Sequence, residues 1–278
     1  MPDVDWTILP PGTEQYRFPA PSGDLAAIAL GRPGAPRVLL VPGATGSKED
    51  FVLLAPILAG AGYRVESFDL AGQYQSAAAG PAPGRPYDYA LFVNDLLAVL
   101  EAGEAPVHVL GYSFAGLVAE LALAERPELF ASLVLLATPP HPGQTFRGVR
   151  WLGPFSSLVP PHTIASLMIW GIVRNLNHTS PGRLAITRMR FDYTQRASLN
   201  QIMALMKHTP DVRGALAGSR VPMLIAVGDR DLWTVGQHRR FARRIGAELK
   251  VYPAGHSPCE TTPHQLGRDL LALYERRS

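Results

Sequence analysis

Pro106-Val107-His108-Val109-Leu110 is a short, mostly apolar run that leads directly into Gly111-Tyr112-Ser113-Phe114-Ala115-Gly116, and an Ala/Leu-rich stretch at helical spacing leaves it. A Ser between small residues on a sharp strand-to-helix turn can hold a strained backbone while its hydroxyl projects above a sheet. Gly111 and Ala115 are the small neighbours, and Gly116 permits further close packing. A helix opening at Phe114 aims unpaired N–H groups at the same spot, which favours an anion there. A Ser capping an ordinary helix has the same local pattern, so the surroundings decide between the two.

Upstream, residues 37–41 form an apolar strand ending in Pro42-Gly43-Ala44-Thr45-Gly46, and Ser47-Lys48-Glu49-Asp50 resembles a helix start, with Pro56 expected to kink the helix that follows. A leading hairpin is expected from short extended pieces at 16–18 and 25–30 joined by Pro21-Ser22-Gly23-Asp24. A second strand is expected over 63–70, a loop to about 86, and a helix over 87–101, where Phe92, Val93, Leu96, Leu97 and Leu100 keep helical spacing. Downstream of Ser113, a helix runs to about 126 and a strand occupies 133–137. Near-continuous apolar strands alternating with helices imply a parallel sheet covered on both faces.

The alternation stops between about 139 and 213, where Pro-rich turns and helix-like segments carry Trp151, Phe155, Met168, Trp170, Met189 and Phe191. It resumes with strands at 222–227 and 247–252 and helices at 235–245 and from 263. The expected architecture is therefore an α/β core made of 1–138 and 214–278, with 139–213 inserted as a helical cap. The core should hold a mostly parallel central sheet with helices on both faces.

Composition narrows the function. At 278 residues and 47% hydrophobic, the chain can bury a sizeable core. A net charge of +3 without a dense basic run argues against nucleic-acid binding. No apolar run approaches the ~18 residues of a membrane span, and Met1-Pro2-Asp3-Val4-Asp5 lacks a basic, apolar leader, so a cytoplasmic location is expected. Cys259 is the only cysteine, which excludes an intramolecular disulfide and a cysteine-based metal cluster. His141 and His162 lie in Pro-rich turns without ligand-like spacing to carboxylates, so neither a metal nor any other cofactor is expected.

In a parallel α/β sheet, the loops after the carboxyl ends of the strands face one crevice. Ser113 follows one strand, Asp229 and Asp231 in Gly228-Asp229-Arg230-Asp231 follow another, and His256 in Ala254-Gly255-His256-Ser257-Pro258 follows a third. A Ser hydroxyl needs a base to become a nucleophile at neutral pH, and an imidazole needs a carboxylate to fix its tautomer and stabilise its cation. Asp229 and Asp231 are rival candidates for that carboxylate, Asp229 being the one placed to brace its own turn. His108, inside an apolar strand, is expected to be a satisfied core residue.

With Ser, Asp and His in this order, the chain resembles the α/β-hydrolase superfamily, in its branch of serine hydrolases and esterases with a helical cap. The resemblance spans nearly the whole sequence. Val41-Pro42-Gly43-Ala44 looks like the family's oxyanion turn, Asp69 to Ser76 like its Asp-x-x-Gly-x-Gly-x-Ser segment, Gly228 to Asp231 like its acid loop, and Ala254-Gly255-His256 with Glu260 and Pro263 like its histidine loop. The resemblance implies Ser113 as nucleophile, His256 as base, Asp231 as orienting acid, and the amides of Ala44 and Phe114 as oxyanion hole. Two positions depart from the pattern: Pro42 replaces the usual His, and Tyr74 stands where the second Gly would be, which suggests an altered loop beside the pocket.

The implied activity is hydrolysis of a small-molecule carboxylic ester or related acyl compound through an acyl-enzyme. Carbon–carbon bond hydrolysis and cofactor-free perhydrolysis use the same triad, and a ligand-binding receptor or scaffold with little turnover is the alternative of another class. Trp170 and Trp233 are candidate substrate-binding residues, and Cys259 is expected to be a buried filler. Segment 139–213 holds eight Arg and one Lys against two Asp in a chain of net +3. Either its arginines lie on solvated helix faces, or they make a basic lid that attracts an anionic substrate.

Overall fold

The computed structural model describes residues 4–149, 160, 162, 163, 166, 170, 174 and 180–275. The expected contributions of Trp151, Phe155 and Met168 lie outside the described residues. The strands are β1 (Glu14–Ala20), β2 (Gly23–Leu30), β3 (Arg37–Val41), β4 (Arg64–Phe68), β5 (Val107–Tyr112), β6 (Phe130–Leu136), β7 (Met223–Gly228) and β8 (Glu248–Tyr252). They form one sheet in the order β1-β2-β4-β3-β5-β6-β7-β8, antiparallel at the β1/β2 and β2/β4 pairs and parallel from β4 to β8. This is the expected mostly parallel α/β sheet with a leading hairpin.

Every residue of β5, β6 and β7 is buried, which explains why these strands have no polar alternation. Successive side chains still point to opposite faces. Leu39, Val109, Leu133, Leu135 and Ile225 join one core layer with helices α2 (Tyr89–Glu101) and α3 (Phe114–Glu125). Val38, Leu40, Leu110, Val134, Leu136 and Leu224 join the other with α1 (Ala55–Gly60) and the C-terminal helix Pro263–Tyr274. The α2 positions Phe92, Val93, Leu96, Leu97 and Leu100, expected from their spacing to face the core, are all buried there.

Between β6 and β7 the described helices are α4 (Pro181–Tyr193), α5 (Arg196–Leu205) and α6 (Arg213–Gly218). After β7 come α7 (Val235–Ile245), α8 (Pro258–Thr261) and α9, the Pro263–Tyr274 helix. Two local expectations are corrected. The helix expected at Ser47 is a single 3-10 turn, Lys48–Phe51, because its amides bond three residues back, Asp50 N to Ser47 O at 2.9 Å and Val52 N to Glu49 O at 3.2 Å. Pro56 does not kink a helix: it stands in the first turn of α1, where its missing N–H has no acceptor to lose.

Candidate active site

The chain passes from β3 to β4 on one side and then returns to β5 on the other, so β3 and β5 are sheet neighbours whose following loops diverge. A crevice opens at such a switch point, beyond the carboxyl ends of the strands. Ser113 follows β5 there, and the Pro42-Gly43-Ala44 turn follows β3.

Ser113 has φ 53° and ψ −116°, a left-handed backbone that a non-glycine residue adopts only when its surroundings impose it, at about 1–3 kcal/mol. Its N–H donates to Leu136 O at 2.8 Å, and its carbonyl accepts from Gly116 N at 3.0 Å. The turn is so tight that a Cβ at Gly111 would lie 2.6 Å from Ala115 O and 2.7 Å from Gly116 Cα, so the position must be glycine. Sequence alone suggested this elbow, and the backbone has its strained form.

The structure brings Ser113, His256 and Asp231 together. His256 Nε2 lies 3.1 Å from Ser113 Oγ, and His256 Nδ1 lies 2.6 Å from Asp231 Oδ1. The Asp231 side chain is wholly buried while that of His256 keeps 27% of its surface exposed, so the imidazole stands between solvent and the buried carboxylate. Asp231 Oδ1 also accepts from Leu232 N at 2.6 Å. Burial by itself would raise the Asp231 pKa, but the imidazoles of His256 and His238 outweigh it and hold the carboxyl below the ordinary range. Asp229 does what its turn position suggested: half exposed, it accepts from Ala254 N at 3.2 Å, while its own N–H donates to Tyr252 O at 2.8 Å. It thereby ties the acid loop to the strand end that precedes His256.

The turn after β3 lies against the Ser113 side chain: a Cβ at Gly43 would stand 3.0 Å from Ser113 Cβ and 3.7 Å from its Oγ. Neither the Ala44 amide nor the Phe114 amide, the latter the first of α3, donates to an acceptor among the described residues. The next residue, Thr45, has φ 63° and donates its N–H to Gln73 Oε1 at 2.7 Å, so a side chain from the segment after β4 fixes the turn. Tyr74 retains the positive φ, 42°, that a glycine would supply. Its ring meets Tyr193 edge-on at 6.1 Å, Lys48 Nζ lies 5.1 Å from the ring centroid, and its N–H donates to Thr194 Oγ1 at 3.2 Å. Contacts with the end of α4 thus hold the altered loop in place.

Trp233 is buried, with its ring centroid 6.1 Å from that of His256 and its Nε1 donating to Thr145 O at 2.9 Å. Trp170 is 54% exposed, and its sequence neighbours lie outside the described residues. His108 is a satisfied core residue, 2.9 Å from Ser132 Oγ and stacked on Tyr274 at 3.9 Å. Cys259 is buried, and burial pushes its thiol well above the ordinary range, as befits a filler. Among the described residues no group of three or more His, Cys, Asp or Glu side chains is arranged to hold a metal ion. No described helix is long and apolar enough to cross a membrane.

A buried ionic network beside the site was not foreseen from the sequence. Asp50 Oδ1 lies 2.8 Å from Arg183 Nη2 and 2.7 Å from Arg190 Nη1, and Arg183 Nη2 also lies 2.5 Å from Glu260 Oε1. Arg190 and Asp50 are each only 1% exposed at the side chain. These two arginines of the basic segment therefore form neither a solvated face nor a steering surface. They join α4 to Asp50, four residues past the Pro42–Gly46 turn, and to Glu260, four residues past His256. Burial opposes ionisation of Asp50, but the two guanidinium groups hold its carboxyl below the usual range. A second buried ionic cluster braces the same region: Lys48 Nζ lies 3.2 Å from Asp69 Oδ2 and 2.8 Å from Glu49 Oε1, and burial still lifts the Asp69 carboxyl to about 6.

The human "Serine hydrolase-like protein" is 32% identical to this chain over 126 residues, 45% of the chain and 61% of the relative. The human "Serine hydrolase-like protein 2" shows the same identity over 45% of the chain and 39% of its own length. The chain thus matches less than two thirds of either relative. A solved hydrolase from Pseudomonas aeruginosa shares the fold, with a TM-score of 0.76 at 23% identity over 94% of this chain and 98% of that one. The alpha/beta hydrolase family model matches residues 38–268, from β3 through the Ser113 elbow and both loops into the last helix, and the chain belongs to that family.

Proposed function

We propose that the chain is a serine hydrolase that cleaves carboxylic esters or related acyl bonds, with Ser113 as nucleophile, His256 as general base and Asp231 as the carboxylate that orients it. The observation that carries this reading is the unbroken relay from Ser113 Oγ to His256 Nε2 at 3.1 Å and from His256 Nδ1 to Asp231 Oδ1 at 2.6 Å. In this mechanism His256 takes the Ser113 proton as Oγ attacks the carbonyl carbon. The oxyanion that forms accepts from the Ala44 and Phe114 amides, which point toward no other acceptor among the described residues. Collapse of the tetrahedral adduct breaks the ester C–O bond, and His256 returns the proton to the leaving alcohol. A water deprotonated by His256 then attacks the acyl-enzyme, releasing the acid and restoring Ser113. Segment 139–213 serves as a cap over this site, with Trp233 as a pocket wall beside His256.

The direct test combines labelling by a fluorophosphonate probe with turnover of a p-nitrophenyl ester series. Labelling that maps to Ser113 and turnover that depends on it are expected; an unlabelled Ser113 with no ester turnover would overturn the reading. The identity of the acid has its own test. Asp231→Asn should lower kcat by about 10³–10⁴-fold through loss of the correct imidazole tautomer, whereas Asp229→Asn should stay within about fivefold of the parent. Equal activity of the two variants would remove Asp231 from the assignment.

A further inference from the structure

His238 is the one ionisable side chain on the buried stripe of α7, whose other members are Phe241, Ala242 and Ile245. A histidine at such a position sacrifices apolar packing, and both of its ring nitrogens are buried without a hydrogen-bond partner closer than the usual limit. Asp231 Oδ2 is in the same condition. The two unsatisfied groups face each other: His238 Nε2 lies 3.6 Å from Asp231 Oδ2, and both side chains are wholly buried. Oδ1 of the same carboxylate is committed to His256 and to Leu232 N. Asp231 therefore stands between two imidazoles, one on each oxygen.

We infer that His238 is a positioning residue for the triad: its Nε2–H serves Asp231 Oδ2, fixing the carboxylate plane so that Oδ1 stays in line with His256 Nδ1. This rests on the proposed Ser113–His256–Asp231 relay. The Nε2–H tautomer and the imidazolium both present a donor to Oδ2; the Nδ1–H tautomer would set a lone pair against a buried anion. The capped start of α7 sets the placement. Thr234 closes it with Gln237, whose N–H donates to Thr234 Oγ1 at 3.3 Å, and His238 N donates to Thr234 O at 3.2 Å, which puts the ring one turn into the helix and facing the acid loop.

The ionisable surroundings bear on the sign of the effect. The β7 and β8 loops contribute Asp231 and His256. Near His238 also stand His141 from the segment after β6, Arg213 from α6 and Arg240 from α7 itself; burial first, and then Arg240, His238 and Arg213, depress His141. Glu120 of α3 lines the small cavity that His141 and Arg213 share. An N–H on Asp231 Oδ2 withdraws negative charge from the carboxylate. Without it, the anion holds the His256 imidazolium more strongly.

The test follows His256 by histidine ¹⁵N NMR in the intact chain, together with ester kinetics, for the parent, His238→Leu and His238→Gln. His238→Leu should raise the His256 midpoint by about 0.5–1 pH unit and lower kcat by about tenfold with KM within about twofold. His238→Gln, which keeps an N–H near the Nε2 position, should recover most of both. In the parent spectrum His238 should carry a proton on Nε2. A bare Nε2 in the parent, or an unmoved His256 midpoint in a folded His238→Leu, overturns the inference. Neither readout needs turnover, so an inactive parent that still shows the midpoint shift counts against the proposed hydrolase and not against His238.

Discussion

Ser113→Ala should lower kcat on an activated ester by about 10⁴–10⁶-fold and leave KM nearly unchanged. The substrate still meets the same pocket and the same N–H groups, but no covalent path remains. In the proposed relay His256 takes the Ser113 proton across the 3.1 Å contact, so His256→Ala should cost about as much. The double variant should be little worse than either single one, because groups that act as a unit are lost as a unit. Purified single and double variants assayed on one p-nitrophenyl ester settle it. Losses that multiply would mean that Ser113 and His256 act independently, and the relay mechanism would fail.

Asp50→Asn should be the most damaging single change outside the triad. Asp50 is the only acidic partner of Arg190 among the described residues, and Arg190 is almost fully buried. Neutralising Asp50 leaves a guanidinium uncompensated in low dielectric, and breaking a buried pair in this way costs about 3–5 kcal/mol. For a chain of this size that corresponds to a fall in Tm of roughly 10 °C. Glu260 reaches Arg183 but is not paired with Arg190, so it relieves only part of the strain. The pH dependence has a definite sign. The folded-state pKa of Asp50 lies below its ordinary value of 3.8, so the stability it contributes is fully present above that value and is lost as pH falls through the lower, folded one. The gap in Tm between parent and variant should hold from neutral pH down to about 4 and close in stronger acid. A stability difference below about 1 kcal/mol at pH 7 would show that the network contributes little. Because α4 is tied to the core just beyond the Pro42–Gly46 turn, turnover should fall along with stability.

Much of the molecule was legible in the order of its letters. The apolar runs that became β3, β5, β6 and β7 are buried on both faces and so carry no competing pattern. Gly111 and Ser113 announce the elbow because few residues survive a turn where a Cβ would meet the backbone of Gly116. Asp229 and Asp231 were separated by role, since a residue directly after a strand most often braces its own turn. The 3-10 turn at Lys48–Phe51 was less accessible, because its Asp50 is held by the arginines of a distant helix, a contact that no local pattern shows.

His238 and the arginines mark the boundary of sequence reading. On a helical wheel His238 is one more residue on an inward stripe, and nothing in Val235 to Ile245 says that Asp231 lies across from it. Arg183 and Arg190 count as two positive charges in a basic segment, and net charge carries no information about whether a charge is solvated or buried against a carboxylate. The sequence by itself determined the fold, the elbow and the order of the three triad candidates, because strand burial and turn sterics are local and act within a few residues. Only the tertiary structure decided that Asp231 lies between two imidazoles and that α4 is joined by charge to the elements behind the site. Those depend on which side chains face each other across the packed layers, at separations of a few ångströms between residues that are up to 140 positions apart.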